Sequence, residues 1–232
     1  MSKIKSLVVN EIVNMSSFFY KGVKYKTDDN IVKVNLGCGL QCLPGWINID
    51  GSLTALLGSK RFPIINKILY RLAGSSNYYS FGDYNKVIQN DDLKFYDLKK
   101  GVPIYTDSAN VIYCSHFLEH LSKDDGKTFL KECYRSLKNG GLLRIAVPDL
   151  DFAMNMYKSG DIEKMQDLFF YTSPKYDFAA HKYNYNYQYL KDILENIGFK
   201  DVKKMSYRCG DCPNIDFLDV YPDHSLYVEC IK

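Results

Sequence analysis

The sequence lacks the features that mark several large classes of protein. Its net charge is only +3 at pH 7, whereas a nucleic-acid-binding protein is expected to carry a pronounced basic stripe. No apolar run approaches the roughly 20 residues that a membrane-spanning helix needs. The first apolar stretch is broken by Asn10, Glu11 and Asn14, so it does not have the pattern of a signal peptide. We therefore expect no nucleic-acid partner, no integral membrane segment and a cytoplasmic location.

Cysteine usage also argues against a disulfide framework. Seven is an odd number, and without a secretory signal it favours free thiols in a reducing compartment. Cys209 and Cys212 form a single C-x-x-C, but no second pair and no adjacent histidine completes a zinc site. We interpret this pair as part of a structural loop and predict no metal ion. A redox or metal role for the pair is the alternative.

What the sequence does contain is an alternation of strand-like and helix-like segments. A chain of 232 residues is long enough for one sizeable core, so we expect a single domain over 1–232. Helical periodicity marks 122–138, ended by Gly140 and Gly141, and 187–197, ended by Gly198. Strand-like composition marks 31–36, 46–50, 93–97, 110–115, 142–147, 201–207 and 225–231.

This order of segments predicts an α/β fold with a mostly parallel sheet and helices on both faces. The last two strands are joined by a loop that contains proline and aspartate. Because that loop is too short to hold a covering helix, we expect these two strands to pair antiparallel.

Two regions stand outside the alternation. Residues 1–30 form an N-terminal extension, and residues 52–90 form an insertion between the second and third strands. Within the insertion, 60–72 mixes apolar residues with the basic residues Lys60, Arg61, Lys67 and Arg71. Such a segment can lie on a membrane surface or pack against the core as a lid. We favour a lid or acceptor cover, in which basic side chains would meet a phosphate on the acceptor.

Glycines and polar residues gather where the predicted strands end. They are Gly37, Cys38 and Gly39 after the first strand, Asp50 and Gly51 at the second, Asp97 and Leu98 at the third, Ser115 and His116 at the fourth, and Asp149 after the fifth. Open parallel sheets bind ligands at this edge. A glycine turn lets the backbone approach a ligand, and a carboxylate after the second strand can accept both ribose hydroxyls. The set therefore predicts a nucleoside-binding pocket.

Six segments carry a resemblance to a known family. They are "VNLGCG", "GWINID", "FYDL", "VIYCSHFLEHL", "LKECYRSLKNGGLLRIAVPD" and "YLKDILENIGF". In this order they resemble the class I S-adenosylmethionine-dependent methyltransferases, from about residue 31 to the C-terminus. The similarity is closest to small bacterial members often linked to surface-polysaccharide synthesis. It implies a Rossmann-like seven-stranded sheet with an antiparallel terminal strand, and S-adenosyl-L-methionine as the cofactor.

The resemblance also implies roles for the residues at the strand ends. Gly37 and Gly39 would line the methionine portion of the donor, and Asp50 would hold the ribose. Asp97 and Leu98 would contact adenine, while Ser115 and His116 would border the pocket under the sulfonium. Unlike the usual member, this chain has only a short segment with Pro44-Gly45 between Gly39 and Asp50. A turn-capping role for Asp50 is therefore the alternative.

Local motifs also suggest two other classes, a zinc peptidase and a dinucleotide-binding enzyme. His116, Glu119 and His120 match H-x-x-E-H, which in some zinc peptidases supplies two ligands and a base. That site needs both histidines on one helix, whereas His116 directly follows a strand and the helix begins near Ser122. A dinucleotide-binding fingerprint is also incomplete, because Cys42 occupies its third glycine position. We expect instead that Glu119 and His120 tie the turn to its neighbours by hydrogen bonds.

The acceptor side is less specified. A sugar hydroxyl must lose a proton during methylation, and we predict His181 as the general base, Asp149 as the second candidate and His224 as a further one. We expect O-methylation of a small sugar- or phosphate-bearing acceptor, free or nucleotide-linked, in capsule or lipopolysaccharide synthesis. A catalytically silent protein that only binds the donor is the alternative.

Overall fold

One sheet forms the centre of the computed structural model, which describes residues 2–58, 63–72, 75–77, 79–90, 93–171 and 180–232. Its strands are β1 (Lys33–Leu36), β2 (Ile47–Asp50), β3 (Leu93–Phe95), β4 (Ala109–Ser115), β5 (Leu137–Pro148), β6 (Lys200–Met205) and β7 (Ser225–Ile231). The spatial order is β3-β2-β1-β4-β5-β7-β6. Strand β7 runs antiparallel to both neighbours, and the other pairings are parallel. The predicted Rossmann-like α/β fold is confirmed.

Helices connect most of these strands. They are α1 (Ser2–Phe19), α2 (Leu53–Leu57), α3 (Pro63–Leu72), α4 (Phe81–Asn90), α5 (Lys123–Ser136), α6 (Leu150–Lys158), α7 (Ile162–Phe169), α8 (Tyr187–Ile197) and α9 (Ile215–Leu218). Helix α8 has the predicted bounds because its ends are specified locally. The side chain of Asn186 accepts from the backbone N–H of Tyr189, and Gly198 ends the helix at φ +119°.

The two faces of the sheet carry separate apolar layers. Ile112 of β4 lies in the main core with Phe129 of α5 and Leu190 of α8. The next residue, Tyr113, points to the opposite face, where Trp46 belongs to the same apolar cluster. Successive strand residues alternate in this way because of the pleat. Each fully buried large apolar side chain contributes about 1.5–3 kcal/mol, so both layers hold the strand ends in place.

A buried ionic network lies against the paired strands β5 and β7. Arg144 of β5 is wholly buried; its Nη1 donates to Oε1 of Glu229 at 2.8 Å and its Nε to Oδ1 of Asp219 at 3.1 Å. Glu229 also accepts the backbone N–H of Asp211 and of Cys212. Burial raises the pKa of the Cys212 thiol. The segment that contains the C-x-x-C is thus fastened to the sheet by hydrogen bonds to a buried carboxylate.

The predicted end of the helix at 122–138 is wrong. Helix α5 ends at Ser136, and β5 already begins at Leu137, so that Gly140 (φ +78°) and Gly141 lie inside the strand. The register of β4 and β5 shifts at Ala109. Glycines that resemble a helix cap therefore serve here in an irregular stretch of strand, where a positive φ is also required. The loop before β7 likewise differs from expectation, since it contains the short helix α9.

The N-terminal extension packs along the β3 end of the sheet. The backbone N–H of Tyr25 donates to Pro103 at 2.8 Å, and its hydroxyl donates to the carbonyl of Phe95 at 2.7 Å. The ring of Tyr20 lies 5.0 Å from that of Phe95. Over the described ranges, no helix is both long and apolar enough to cross a bilayer.

The insertion at 52–90 has an apolar cluster of its own. Leu69 of α3 and Tyr84 of α4 are buried together with Leu40 and Leu53. The opposite side of α3 exposes apolar residues, and 77% of Ile64 is accessible. Helix α3 thus packs through one side, as a lid or core-packing helix would. Lys60 and Arg61 lie outside the described residues.

Candidate active site at the carboxyl ends of the strands

The turn after β1 is held by an acid at the end of β2. Gly37 and Gly39 have positive φ values of 68° and 54°, a region that glycine enters without strain. The backbone N–H of Gly39 donates to Oδ2 of Asp50 at 2.9 Å, and that of Ser52 donates to Oδ1 at 2.7 Å. No helix lies between β1 and β2, which agrees with the short connection predicted there. Asp50 therefore shapes the turn, and each of its oxygen atoms can accept a further hydrogen bond.

Of the two glycines, only Gly39 has open space beside its backbone. A Cβ at Gly37 would overlap the side chain of Phe117, whereas one at Gly39 would meet no described atom within 4 Å. Asp97 is half-buried and uses Oδ1 to cap the turn Leu98–Lys100, accepting from the N–H of Lys99 at 3.2 Å. The edge thus offers an open glycine backbone and two carboxylates, which fits the methionine and nucleoside portions of S-adenosylmethionine.

The cysteine between the glycines is not set up as a nucleophile. The Sγ atoms of Cys38 and Cys42 lie 4.0 Å apart, and both residues are buried. Burial first, and then the contact with Cys42, raises the pKa of the Cys38 thiol well above its usual value. A protonated thiol is a poor nucleophile, so Cys38 is not prepared to attack a substrate.

His116 stands at the point where the strand order reverses, beside the end of β1. It has φ +48°, an uncommon conformation for a residue with a Cβ. Its Nε2 lies 2.9 Å from Oγ of Ser225, and its ring centroid lies 4.4 Å from that of Tyr221. Its Nδ1 lies 3.3 Å from Oε1 of Glu119. The His116 ring is therefore held between Ser225 at the start of β7 and the buried carboxylate of Glu119, next to the carboxyl end of β1.

The H-x-x-E-H segment does not form a helix face. His116 leaves β4, and Glu119 and His120 lie in the short 3-10 turn Leu118–His120. Helix α5 begins afterwards, capped by the side chain of Ser122. The geometry of an inverted zinc peptidase is thus absent from this described segment. His120 does bond to its surroundings as expected, through Nδ1 to the carbonyl of Ala180 at 3.2 Å.

Glu119 instead meets a histidine from much later in the chain. Its backbone carbonyl accepts the N–H groups of Lys182 and Tyr183 at 2.8 and 3.2 Å, which brings His181 beside it. One ligand atom from each of Glu119, His120 and His181 lies within 4.8 Å of the other two. The expectation that Glu119 ties this turn to its neighbours by hydrogen bonds is confirmed for its backbone carbonyl, whereas neither carboxylate oxygen has a hydrogen-bond partner among the described residues.

Burial and neighbouring charges shift the pKa values of Glu119 and His181. Burial by itself raises the pKa of Glu119, but the close contact with His116 and the charges of His116 and His120 outweigh it, so the pKa is lowered. Burial lowers the pKa of His181, and the Glu119 charge opposes that shift. The cluster is therefore built around an ionised carboxylate with a histidine that favours its neutral form.

Asp149, the second predicted base, has structural partners for both oxygens. Oδ1 accepts the N–H of Asp151 at the start of α6, and Oδ2 lies 3.2 Å from Nζ of Lys204. The backbone N–H of Asp149 donates to the carbonyl of His224. The acid thus joins β5, α6 and β6.

A cavity of about 340 Å³ opens next to this edge, between α6, α7 and the segment before β7. The described residues that line it are Phe152, Met156, Lys164, Asp167, Leu168, Asp223 and His224. Leu168 also accepts a hydrogen bond from Nδ1 of His181 at 3.1 Å. The cavity and the histidine cluster are therefore neighbours.

Tyr79, in the insertion at 52–90, lies near Asp50 at the carboxyl end of β2. The pKa of Tyr79 is raised, first by burial of its hydroxyl and then by Tyr221 and Asp50, although 42% of the residue is exposed. Sequence reasoning did not single out Tyr79, Tyr221 or Ser225, because nothing in their local patterns distinguishes them from other surface tyrosines and serines. Their position beside His116 and Asp50 depends on contacts between distant parts of the chain.

Part of the chain matches a known family. Residues 86–145 match the family model described as a methyltransferase domain. The matched segment contains β3, β4 and α5, and with them Asp97 and His116. This match supports the prediction of a methyltransferase and leaves the acceptor undefined. No curated protein matches the chain.

Several solved structures are similar to this chain at low identity. A SAM-dependent methyltransferase from Archaeoglobus fulgidus is 18% identical, with 98% of this chain and 94% of that one covered and a TM-score of 0.47. A SAM-dependent methyltransferase from Thermotoga maritima is 15% identical, with 100% of both chains covered and a TM-score of 0.44. Phosphoethanolamine N-methyltransferase 2 of Haemonchus contortus, solved with S-adenosyl-L-methionine, is 12% identical, with 96% and 52% covered and a TM-score of 0.45. These values are too low to indicate an acceptor.

Proposed function

We propose that this protein transfers a methyl group from S-adenosyl-L-methionine to a hydroxyl of a small acceptor. The observation that carries the proposal is the glycine turn after β1, which Asp50 fastens through the N–H of Gly39 at 2.9 Å and which is open beside Gly39. Gly37, Cys38 and Gly39 would line the methionine portion of the donor. The match of residues 86–145 to a methyltransferase domain supports the same reading.

The remaining donor contacts follow from the strand ends. Asp50 and Gly51 would hold the ribose, and Asp97 and Leu98 the adenine. Ser115 and His116 would border the sulfonium, since they end β4 next to β1. The donor is already reactive when bound, so the main task of these residues is to align it with the acceptor oxygen. The insertion at 52–90 is proposed as a cover over this pocket.

We place the acceptor in the cavity of about 340 Å³, which is at the small end of ligand pockets, about 300–1,000 Å³. Its lining carries two carboxylates, Asp167 and Asp223, and one ammonium, Lys164. That balance disfavours a multiply charged phosphate and favours a neutral, hydroxyl-bearing acceptor such as a sugar. Lys67 and Arg71 of α3 are not among the described lining residues. A step in surface-polysaccharide synthesis is the proposed setting.

Within this scheme His181 is the group at which the acceptor loses its proton. Its Nδ1 faces a backbone carbonyl, so its Nε2 keeps a free lone pair. Asp149 is the weaker candidate, because both its oxygens already have partners. His181→Ala should lower kcat by about 10²- to 10⁴-fold and leave donor affinity unchanged. The neighbouring Lys182→Ala is the matched control and should stay near the wild-type rate.

Incubation with donor labelled on the methyl group and a pool of sugars, nucleotide sugars and cell-extract metabolites tests the reaction. Label is expected in the small-molecule fraction, together with S-adenosylhomocysteine. Donor binding without any transfer would support the silent binding protein instead. Transfer by His181→Ala at the wild-type rate would remove that residue from the scheme.

A further inference from the structure

The carboxylate of Glu119 has surroundings that methyl transfer alone does not explain. The residue is 0% exposed, and neither oxygen has a hydrogen-bond partner within the described part of the chain. Nδ1 of His116 lies 3.3 Å from Oε1, close enough for an ion pair, and leaves the remaining capacity of the carboxylate unused. Burying a carboxylate in this way costs several kcal/mol. Such a group is retained where a positively charged partner binds it.

The two neighbouring histidines are oriented as metal ligands are. Nδ1 of His120 lies 3.2 Å from the carbonyl of Ala180, and Nδ1 of His181 lies 3.1 Å from the carbonyl of Leu168. A carbonyl can only accept, so both Nδ1 atoms carry a proton, and in the neutral ring Nε2 keeps a lone pair. Metal-binding histidines commonly donate their other ring N–H to a backbone carbonyl in this way.

A shared proton does not account for the spacing of the cluster. A hydrogen bond between a histidine nitrogen and a carboxylate oxygen needs about 2.7–3.2 Å, and neither His120 nor His181 makes one to Glu119. One ligand atom from each of the three residues lies within 4.8 Å of the other two. Ligands at about 2.0–2.2 Å from a tetrahedral metal are about 3.3–3.6 Å apart, so small side-chain movements would bring the three atoms onto one ion.

We infer that Glu119, His120 and His181 bind one divalent transition-metal ion, with Zn²⁺ the ion that the ligands fit best. Two imidazoles and one carboxylate form a common ligand set of catalytic zinc, which leaves a fourth position for an oxygen ligand. Hard cations such as Mg²⁺ prefer oxygen ligands alone. This inference revises the sequence-based prediction of no metal, which considered the histidines of H-x-x-E-H and not His181.

The consequence for catalysis rests on the proposed function. An acceptor hydroxyl at the fourth position would have its pKa lowered by the cation and would release its proton to solvent. The oxygen would then attack the methyl carbon as the bond from carbon to sulfur breaks, giving a methyl ether and S-adenosylhomocysteine. Under this inference His181 is a ligand, and this role replaces the base role given to it in the proposed function; only the ligand role predicts that His181→Ala loses Zn²⁺.

Metal binding is tested on the purified full-length chain with Zn²⁺ and with Co²⁺ as a spectroscopic probe. The wild-type protein should retain one Zn²⁺ per chain after dialysis against a weak chelator, and Co²⁺ should give the visible absorption of a tetrahedral site without thiolate bands. His120→Ala, His181→Ala and Glu119→Gln should each weaken retention by at least about 100-fold. His224→Asn and Cys209→Ser are the matched controls, removing a histidine and an exposed thiol outside the cluster, and should retain the ion.

Two results would overturn the inference. The site is excluded if the wild-type protein retains no Zn²⁺, or if His120→Ala and His181→Ala retain as much Zn²⁺ as the wild-type protein. Far-UV circular dichroism and the melting temperature without metal establish that each variant is folded. A rise in melting temperature on adding Zn²⁺ should occur in the wild-type protein and the two controls only. Binding of S-adenosylhomocysteine, measured separately, tests the proposed function, so failure of either claim is distinguishable from failure of the other.

Discussion

Two groups of buried acids in this protein have opposite surroundings. Asp219 and Glu229 lie against Arg144, which donates to both, and they also accept backbone N–H groups. Glu119 is equally buried, but no described group donates a hydrogen bond to it, and it is surrounded by three histidines. The first group is fully hydrogen-bonded within the fold, so it contributes to holding the strands and the loop before β7 together. The second lies among histidines with both carboxylate oxygens free to accept, so a further group can bind there.

The largest expected effect on stability comes from removing Arg144, the cation between Asp219 and Glu229. Arg144→Met should lower the free energy of unfolding by about 3–5 kcal/mol, because it leaves two buried carboxylates without their cation. Denaturation in urea with linear extrapolation measures it. The control is Lys191→Met, which removes an exposed pair with Glu195 and should change stability by no more than about 0.5 kcal/mol. A loss below about 1 kcal/mol for Arg144→Met would contradict the structural role.

The same substitution in each group sharpens the comparison. Glu229→Gln should destabilise the protein by about 1.5–3 kcal/mol, because it weakens charge-assisted hydrogen bonds with Arg144. Glu119→Gln should leave the metal-free protein within about 1 kcal/mol of wild type, because no hydrogen bond donated to the carboxylate is lost. Urea denaturation of both variants in the presence of a chelator is the measurement. Equal losses would mean that Glu119 is also a structural acid.

Asp50 and Asp97, at the carboxyl ends of β2 and β3, are intermediate between these two cases. Backbone N–H groups donate to them, but their oxygen atoms can accept further hydrogen bonds. Asp50→Ala and Asp97→Ala should each weaken donor binding by about 1–3 kcal/mol, which is about 5- to 150-fold in the dissociation constant. Titration with S-adenosylhomocysteine measures this. Asp124→Ala, at an exposed carboxylate in the first turn of α5, serves as the control. Wild-type affinity in Asp50→Ala would leave that residue as a turn cap only.

The smallest expected effect concerns His224 beside the cavity. Burial first, and then the charge of His116, lowers the pKa of His224, with Asp223 opposing. The unfolded chain therefore binds a proton at His224 near pH 6.5, and the native state does so only at lower pH. Stability from this group is fully present above pH 6.5 and is lost as the pH falls from there through the lower pKa of His224 in the native state. His224→Gln should make the fall in melting temperature between pH 7 and pH 5 shallower, and an unchanged slope would contradict the account.

The features that could be predicted from the sequence are those that depend on local pattern. Asn186 and Gly198 mark the ends of α8 in the sequence itself, and the glycines and acids at the strand ends stand in order along the chain. Where local pattern was ambiguous, prediction was wrong: Gly140 and Gly141 resemble a helix cap but lie within β5. Both glycine functions need a positive φ, so composition alone does not separate them.

The contacts that define the two acid groups could not be predicted in this way. Arg144 and Asp219 meet because β5 lies beside β7 and because the chain before β7 folds back over the sheet. His181 meets Glu119 because backbone N–H groups of Lys182 and Tyr183 donate to the carbonyl of Glu119. No periodicity or spacing in the sequence encodes these pairings. The sequence placed His181 on the acceptor side, but not next to a buried acid.

Calorimetric titration of the wild-type protein with S-adenosylmethionine and S-adenosylhomocysteine tests the central claim most directly. The account predicts that both ligands bind at one site per chain, that Asp97→Ala binds them more weakly, and that Glu119→Gln binds them as the wild-type protein does. The last result is expected because the role proposed for Glu119 is on the acceptor side of the pocket. Failure of the folded wild-type protein to bind either ligand would contradict the account.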